Sequence, residues 1–331
     1  MTDGSKAPIR LAAVQARALP GQIEANLEHA ARLIEQAAGQ GAAMVVLPEL
    51  STCGYVPNRA IWAAPRPGAA APTGGWPPPP GGWASTWARA PPKPTARTSL
   101  MCSPWPPRTG RSPDASTRPT LRPASSGADA LHLIDTRAGR IGVGICADNQ
   151  FAATLRVMRE QRADLILMPH AWPTPVRAAD LVSEADVAAQ QERMTQLPVL
   201  YARALGVPVV FVNQVGPLQP IGGILGHLMD PGIWRLRGQS RIVDSDGSVL
   251  GQLGEDEGAL TADAVMDPGR KHYAAQPSFG GWLQPGQWAG RRIIIPLDIA
   301  VGRVGCTVSR ERRRKARAAA EGTNDPAVMT A

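Results

Sequence analysis

Short apolar runs and helical segments alternate along most of this chain. Four apolar runs are typical of buried strands: residues 9–15, 43–50, 164–172 and 208–216. Three further segments are predicted helices: residues 26–41, 151–161 and 184–204. The first of these helices places Leu27, Leu33 and Ile34 on one face and ends at a glycine. The pattern therefore predicts a strand-helix-strand unit at the start of the fold.

Two segments have the pattern of β-hairpins. Residues 131–148 contain two strand-like runs joined by a turn at 137–139, and the second run ends on Cys146. Residues 240–254 form a second candidate hairpin, with Asp246 and Gly247 in its turn. Continuous apolar strands with interleaved helices indicate sheets covered by helices, and hairpins indicate partly antiparallel pairing. The expected fold class is α/β, or a layered α+β arrangement.

The length and the cysteine content indicate one large cytoplasmic domain. At 331 residues the chain can bury a sizeable core, and we expect a single domain over residues 1–331. The amino-terminal residues lack the pattern of a secretory signal, and no apolar run reaches the roughly 18 residues of a spanning helix. Four cysteines lack the spacing of a metal site or a disulfide framework: Cys53, Cys102, Cys146 and Cys306.

One segment accounts for the whole net charge of +8. Residues 57–127 contain eight Arg and one Lys against a single acid, and they hold 17 of the 33 prolines and five of the nine tryptophans. Because they contain few aliphatic residues, they cannot bury enough apolar surface to offset chain entropy, and we expect residues 63–127 to be disordered. The remainder is neutral overall, which argues against a nucleic-acid-binding protein.

Two chemically reactive residues, Glu49 and Cys146, follow predicted strands. A carboxylate and a thiol at strand ends can meet at a sheet edge, where loops build active sites. Each residue also has an ordinary structural reading, because a cysteine after an apolar strand commonly fills a core and a glutamate after Leu-Pro commonly lies in a solvated turn. Their spacing in the sequence does not decide between these readings.

Five motifs resemble the carbon-nitrogen hydrolases of the nitrilase superfamily: VVLPELSTCGY, GRIGVGICAD, ADLILMPHAW, VVFVNQVG and SRIVDSDGSVLGQLGEDEGALTADAV. The resemblance covers residues 8–62 and 129–272. It implies a four-layer α-β-β-α sandwich that assembles as a homodimer or larger homo-oligomer. It also implies hydrolysis of nonpeptide C–N bonds by a Glu-Lys-Cys triad, without a metal or organic cofactor.

By motif match, the resemblance makes Glu49 the general base and Cys146 the nucleophile, and it assigns no role to Cys53. Asn149 follows the nucleophile at a position that shapes the pocket in this family. The Trp-Glu pair common after the cysteine of true nitrilases is replaced by Ala147 and Asp148, which favours amide or N-carbamoyl substrates over nitriles.

Three more residues are candidates for contact with a small-molecule substrate. His170 and Trp172 follow the strand of the third motif, and Tyr55 closes the first motif. For His170 a supporting position behind the pocket is the alternative, and for Tyr55 the alternative is packing.

The family's lysine lacks a clear counterpart. The lysine between Glu49 and Cys146 is Lys93, which lies in a proline-rich context without a strand pattern. Translated in a displaced frame, with codons chosen to fit, WASTWA at 83–88 can become the strand-like Leu-Gly-Val-Tyr-Leu-Gly, and Ser116 can become lysine. We therefore predict that residues 63–127 are translated out of frame, and that the printed chain folds poorly and is inactive. Two alternatives remain: a proline-rich insertion, and a noncatalytic binding or scaffold subunit that has lost the lysine.

The carboxyl-terminal residues 309–331 are predicted to form a basic helix followed by a disordered tail. Arginines dominate residues 309–320, and no aromatic residues interleave with them. A solvated face or the rim of a dimer fits this pattern better than a nucleic-acid patch. We expect neither nucleic acid nor a membrane as a partner.

Overall fold

The computed structural model describes residues 8–55, 132–136, 138–179, 182–220 and 229–286. Apart from residue 286, these belong to one compact unit formed by Met1–Val56 and Ser126–Pro285. In chain order its strands and α-helices are β1 (Ile9–Gln15), α1 (Ile23–Gly39), β2 (Met44–Val46), β3 (His132–Asp135), β4 (Arg140–Val143), α2 (Ala152–Glu160), β5 (Leu165–His170), β6 (Pro173–Pro175), α3 (Glu184–Leu205), β7 (Val209–Asn213), β8 (Val215–Pro217), β9 (Trp234–Arg237), β10 (Arg241–Val243), β11 (Val249–Gln252) and β12 (Gly258–Ala264). Short 3₁₀ turns occupy Cys146–Gln150 and Pro268–Arg270.

The strands form two larger sheets and one small sheet. The first has the order β12-β1-β2, and the second has the order β11-β10-β7-β5-β4-β3. In the second sheet β4, β5 and β7 are parallel, while β3, β10 and β11 pair antiparallel with their neighbours. The third sheet has the order β6-β9-β8. Mixed pairing agrees with the combination of apolar runs and hairpins in the sequence.

Strand β5 illustrates how the two large sheets pack. Leu165 and Leu167 join a buried cluster with Leu11 of β1 and Val46 of β2, so this cluster lies between the sheets. Ile166, which alternates with them, belongs to a second cluster formed with residues of α2 and α3. Because successive side chains of a strand point to opposite faces, β5 is buried on both sides and its sequence is apolar throughout.

Helix α1 covers the other face of the first sheet. Ala12 and Val14 of β1 pack in one cluster with Ala37 of α1. The order of layers is therefore α1, first sheet, second sheet, and α2 with α3. This is the α-β-β-α sandwich that the sequence motifs predicted.

Most predicted elements are confirmed, and the differences fall at strand ends. The strand predicted over 43–50 ends at Val46, because Pro48 has no N–H to continue the ladder. The run over 208–216 is two strands, β7 and β8, which belong to different sheets and are separated by Gln214. The predicted strand ending on Cys146 stops at Val143. Because the strands end early, Glu49, Gln214 and Cys146 lie in the loops that follow them.

Several predictions fall outside the described residues. The structure does not describe the segment 63–127, which includes Lys93, or the carboxyl-terminal residues 309–331. Within the described ranges, no helix is long and apolar enough to cross a membrane.

Candidate active site

Glu49 lies just beyond β2, where it accepts hydrogen bonds from residues that follow two neighbouring strands of the second sheet. The N–H of Ala171, which follows β5, donates to Glu49 Oε2 at 3.1 Å. The side-chain Nε2 of Gln214, which follows β7, donates to the backbone oxygen of Glu49 at 2.5 Å. Glu49 is only 8 % exposed. Its carboxylate is therefore a fixed, nearly water-free group rather than a solvated turn residue.

Cys146 lies in the loop after β4 and has a left-handed backbone conformation, with φ of 48°. For a residue other than glycine this conformation costs about 1–3 kcal/mol, and it is concentrated at functional sites. Cys146 is partly exposed, and its thiol is hydrogen-bonded to the Glu49 carboxyl group. The two residues that the sequence motifs singled out are thus in direct contact.

Burial controls the ionisation of both groups. Loss of solvation raises the pKa of Glu49 to about 7; the hydrogen bonds from Cys146 and Ala171 oppose this rise, and the Asp148 charge adds to it. Burial also raises the pKa of the Cys146 thiol well above its usual value, and the neighbouring Glu49 raises it further. At neutral pH the cysteine is therefore a thiol that donates to a partly ionised carboxylate.

Asp148 adds a second buried carboxyl group to this neighbourhood. Burial raises its pKa to about 7, while a hydrogen bond from the Ile145 N–H opposes the shift. Since Glu49 and Asp148 disfavour each other's charge and that of a thiolate, a nearby cation would favour ionisation of the cysteine.

Lys271 is the sole lysine among the residues that the structure describes, and it does not supply that cation. Its Nζ pairs with Asp164 Oδ1 at 2.6 Å and donates to the oxygen of Arg162 at 2.8 Å. Asp164 precedes β5, whereas Ala171 follows it. At roughly 3.3 Å per strand residue, these ends are about 20 Å apart.

Asn149 and His170 form a fully buried pair beneath the cysteine loop. Both are 0 % exposed. Asn149 Nδ2 donates to the Gly144 oxygen at 2.7 Å and lies 3.1 Å from His170 Nε2. The Tyr201 hydroxyl donates to the backbone oxygen of Asn149 at 3.0 Å. These contacts connect the predicted pocket residues Asn149 and His170 to the loop of Cys146.

Trp172 and Tyr55 are placed differently from that pair. Trp172 is 9 % exposed, its backbone exchanges two hydrogen bonds with the Asn213 side chain, and its indole ring stacks on His170 with centroids 5.5 Å apart. Tyr55 is partly exposed and is the last described residue of the loop after Glu49. Substrate contact by these four residues stays a prediction.

Sequence reasoning missed the supporting roles of Ala171 and Gln214. Ala171 acts through its backbone N–H, so no side-chain pattern could have revealed it. Gln214 had a usable signal, since it is a polar residue directly after the apolar run of β7 and is fully buried. No group of three or more potential metal-ligating side chains occurs within the described parts of the chain.

The solved structures most useful for comparison are all below 20% identity. A carbon-nitrogen hydrolase from Helicobacter pylori G27 is 19% identical, with 78% of this chain and 90% of that chain covered and a TM-score of 0.51. An amidase from Nesterenkonia sp. is 18% identical, with 81% and 95% covered and a TM-score of 0.45. Nit3 of Saccharomyces cerevisiae, a member of branch 10 of the nitrilase superfamily, is 18% identical, with 80% and 92% covered and a TM-score of 0.49.

The family assignment comes from the sequence. No curated protein sequence matched the chain. The family model for carbon-nitrogen hydrolases matches residues 10–76 and 85–269, which is more than half of the chain. The matched residues include Glu49, Cys146 and the strands that hold them. The chain belongs to the carbon-nitrogen hydrolase family.

Proposed function

We propose that this protein is a hydrolase of a nonpeptide C–N bond of an amide or N-carbamoyl compound, with Cys146 as nucleophile and Glu49 as general base, and that the chain as printed is inactive until the lysine expected from the family resemblance is restored. The observation that carries the proposal is the hydrogen bond between the Cys146 thiol and the buried Glu49 carboxyl group. A nucleophile in contact with a base that is itself oriented by a third group is the arrangement expected for covalent catalysis. Here the orienting group is the Ala171 N–H.

The proposed reaction has two stages. In the first, Glu49 takes the thiol proton while the Cys146 sulfur attacks the carbonyl carbon, and the proton then passes to the leaving amine as the thioester forms. In the second, Glu49 takes a proton from water, the resulting hydroxide attacks the thioester, and the proton returns to the sulfur. The raised pKa of Glu49, about 7, suits a group that must accept and return a proton at neutral pH.

The first stage also needs positive charge. A tetrahedral intermediate develops an oxyanion, and the N–H of Ala147 is a donor adjacent to the nucleophile. Glu49 and Asp148 both raise the pKa of the Cys146 thiol. The lysine expected from the family resemblance would offset these charges, and Lys271 is engaged at the far end of β5. We therefore propose that activity requires the lysine of the displaced reading frame.

Amide and carbamoyl compounds are preferred over nitriles in this proposal because Ala147 and Asp148 stand where true nitrilases have Trp-Glu. Assembly as a homodimer or larger homo-oligomer and a cytoplasmic location stay predictions.

Acylation of the cysteine tests the proposal. The printed chain and a frame-restored chain are each mixed with an activated amide and with an ester, and the intact mass is followed in time. We expect one acyl group on Cys146 of the restored chain, and a loss of amide turnover of at least roughly 10³-fold in Cys146→Ala. Cys53→Ala is the matched control, because Cys53 has no place in the mechanism, and it should retain turnover.

Two outcomes contradict the proposal. Turnover that survives in Cys146→Ala would remove the nucleophile from the mechanism. Absence of acylation in both chains, with the restored chain folded, would favour a noncatalytic binding or scaffold subunit instead.

A further inference from the structure

Cys146 lies within a short loop that closes on itself through Asn149. The Asn149 side chain donates from Nδ2 to the backbone oxygen of Gly144 at 2.7 Å. A Cβ at Gly144 would lie 1.9 Å from Asn149 Oδ1, so the loop closes this tightly only with glycine at 144. Inside this closure, Cys146 has the left-handed φ of 48°.

The direction of the Asn149–His170 hydrogen bond follows from the same contact. Only the amide nitrogen of Asn149 can donate to the Gly144 carbonyl, which fixes the orientation of the amide group. The same NH₂ group lies 3.1 Å from His170 Nε2. His170 Nε2 must therefore be the acceptor, with the ring proton on Nδ1. Burial lowers the pKa of His170 to about 3, which keeps the ring neutral and Nε2 available.

The end of β5 thus holds both reacting groups. His170, its last residue, accepts the hydrogen bond from the loop of the nucleophile, while the next residue, Ala171, donates its N–H to the Glu49 carboxylate. His170 is itself held by ring contacts to Trp172 and Phe211, with centroids 5.5 and 4.7 Å away. One rigid strand end therefore determines the position of the thiol relative to the carboxylate.

We propose that Asn149 and His170 are positioning residues that hold Cys146 in its left-handed conformation, in contact with Glu49, rather than residues that contact substrate. This inference rests on the proposed function for its catalytic meaning. Complete burial of both side chains supports it, because a group with no exposed surface in the described structure does not face a substrate directly.

Two substitutions at His170 separate positioning from packing. The His170→Gln side chain places an amide oxygen near the position of Nε2 of the histidine ring. The His170→Asn side chain is shorter and reaches only the position of Nδ1. Both variants are polar and smaller than histidine, so they should lower the unfolding midpoint by similar amounts. Only His170→Gln offers an acceptor to Asn149.

The first readout is alkylation of Cys146 by iodoacetamide in the full chain, followed by peptide mapping. We expect His170→Asn to change the rate tenfold or more, because the thiol loses its fixed contact with Glu49, and His170→Gln to return the rate most of the way to that of the parent. Asn149→Ala should change the rate similarly, and Asn149→Ala combined with His170→Asn should show no larger change than either alone, since both break one connection. In a frame-restored chain that turns over, the loss should fall on kcat and not on KM.

Equal rates in both His170 variants, unchanged rates, or additive changes of rate in the double variant would overturn the proposal. A change in KM alone would also overturn it, because it would indicate substrate contact. Alkylation requires no amide turnover, so this test stays informative even if Cys146→Ala shows that the proposed hydrolysis is wrong.

Discussion

At the scale of single residues, loss of solvation sets the pKa values of Glu49 and Cys146. Neither residue is unusual in the sequence, and both take their properties from loss of solvent. The Ala171 N–H favours the charged form of each, but burial outweighs it and raises both pKa values. The residues are thus poised for proton transfer to each other, since near pH 7 Glu49 is only partly ionised and Cys146 is a thiol.

The raised pKa of Glu49 predicts a pH-dependent loss of stability. Between the usual value of 4.5 and the folded value of about 7, the folded chain retains a proton that the unfolded chain has released. The free energy of unfolding therefore falls as pH rises through this window, by about 3 kcal/mol at 1.4 kcal/mol per pH unit. Glu49→Gln should make this fall smaller, as measured by urea unfolding at pH 5 and pH 7.5.

Glu28→Gln is the control for this measurement, because Glu28 is exposed on α1. It should leave the pH dependence as it is in the parent. Asp148, whose pKa is also raised to about 7, should leave a residual fall in Glu49→Gln. The same fall in Glu49→Gln as in the parent would contradict the assignment of a buried, protonated Glu49.

At the scale of elements, the loop after β2 is held by helix α1. Asn26 of α1 is buried, and its side chain accepts from the Leu19 N–H at 2.7 Å and donates to the oxygens of Leu19 and Thr52 at 2.7 and 2.9 Å. Gly21 N donates to the oxygen of Cys53 at 2.9 Å. The segment before α1 and the loop that follows Glu49 are therefore joined by the Asn26 side chain and by one backbone hydrogen bond.

We predict that Asn26→Ala destabilises the protein by about 2–4 kcal/mol, because it leaves two carbonyl oxygens and an N–H without their partner. It should also change the rate of alkylation of Cys146, since Glu49, which raises the pKa of that thiol, would lose part of its support. Urea unfolding and iodoacetamide labelling measure the two effects. Glu28→Ala, exposed on the same helix, should change stability by no more than about 0.5 kcal/mol.

An Asn26→Ala variant as stable as Glu28→Ala would show that the loop is held by other contacts. A destabilised variant with unchanged alkylation would confine Asn26 to folding and remove it from support of the site.

At the scale of the whole molecule, the central question is the segment 63–127, which lies outside the described residues. The family model matches most of it, leaving out only residues 77–84. The described part already contains both large sheets and their covering helices. What it lacks is a lysine placed to serve Glu49 and Cys146.

We predict that the nucleotide sequence across codons 57–130 contains a second open frame with a lysine where Ser116 stands. A chain expressed from the restored frame should unfold at higher urea concentration than the printed chain and hydrolyse amides, because the displaced reading supplies a strand-like run at 83–88 and the cation. A native frame that encodes the printed residues, with no alternative open frame, would contradict this. Turnover by the printed chain that is lost in Cys146→Ala would refute its predicted inactivity.

Much of the fold was predictable because buried strands and helices have characteristic patterns of apolar residues in the sequence. The apolar run of β5 indicated a strand covered on both faces, and the hairpin at Asp246-Gly247 was marked by its turn residues. Strand ends were harder, since they depend on single backbone groups. The split at Gln214 follows from the separate pairing of β7 and β8, which apolarity alone does not encode.

The sequence by itself determined the layered class, the family and the candidates Glu49 and Cys146, because each depends on local patterns and motifs. Only the tertiary structure decided that these two side chains touch and that Ala171 and Gln214 hold Glu49. It also decided that Asn149 and His170 are joined beneath the loop of Cys146. The physical reason is that such contacts join residues far apart in the chain, through strand order and loop closure, which no local periodicity specifies.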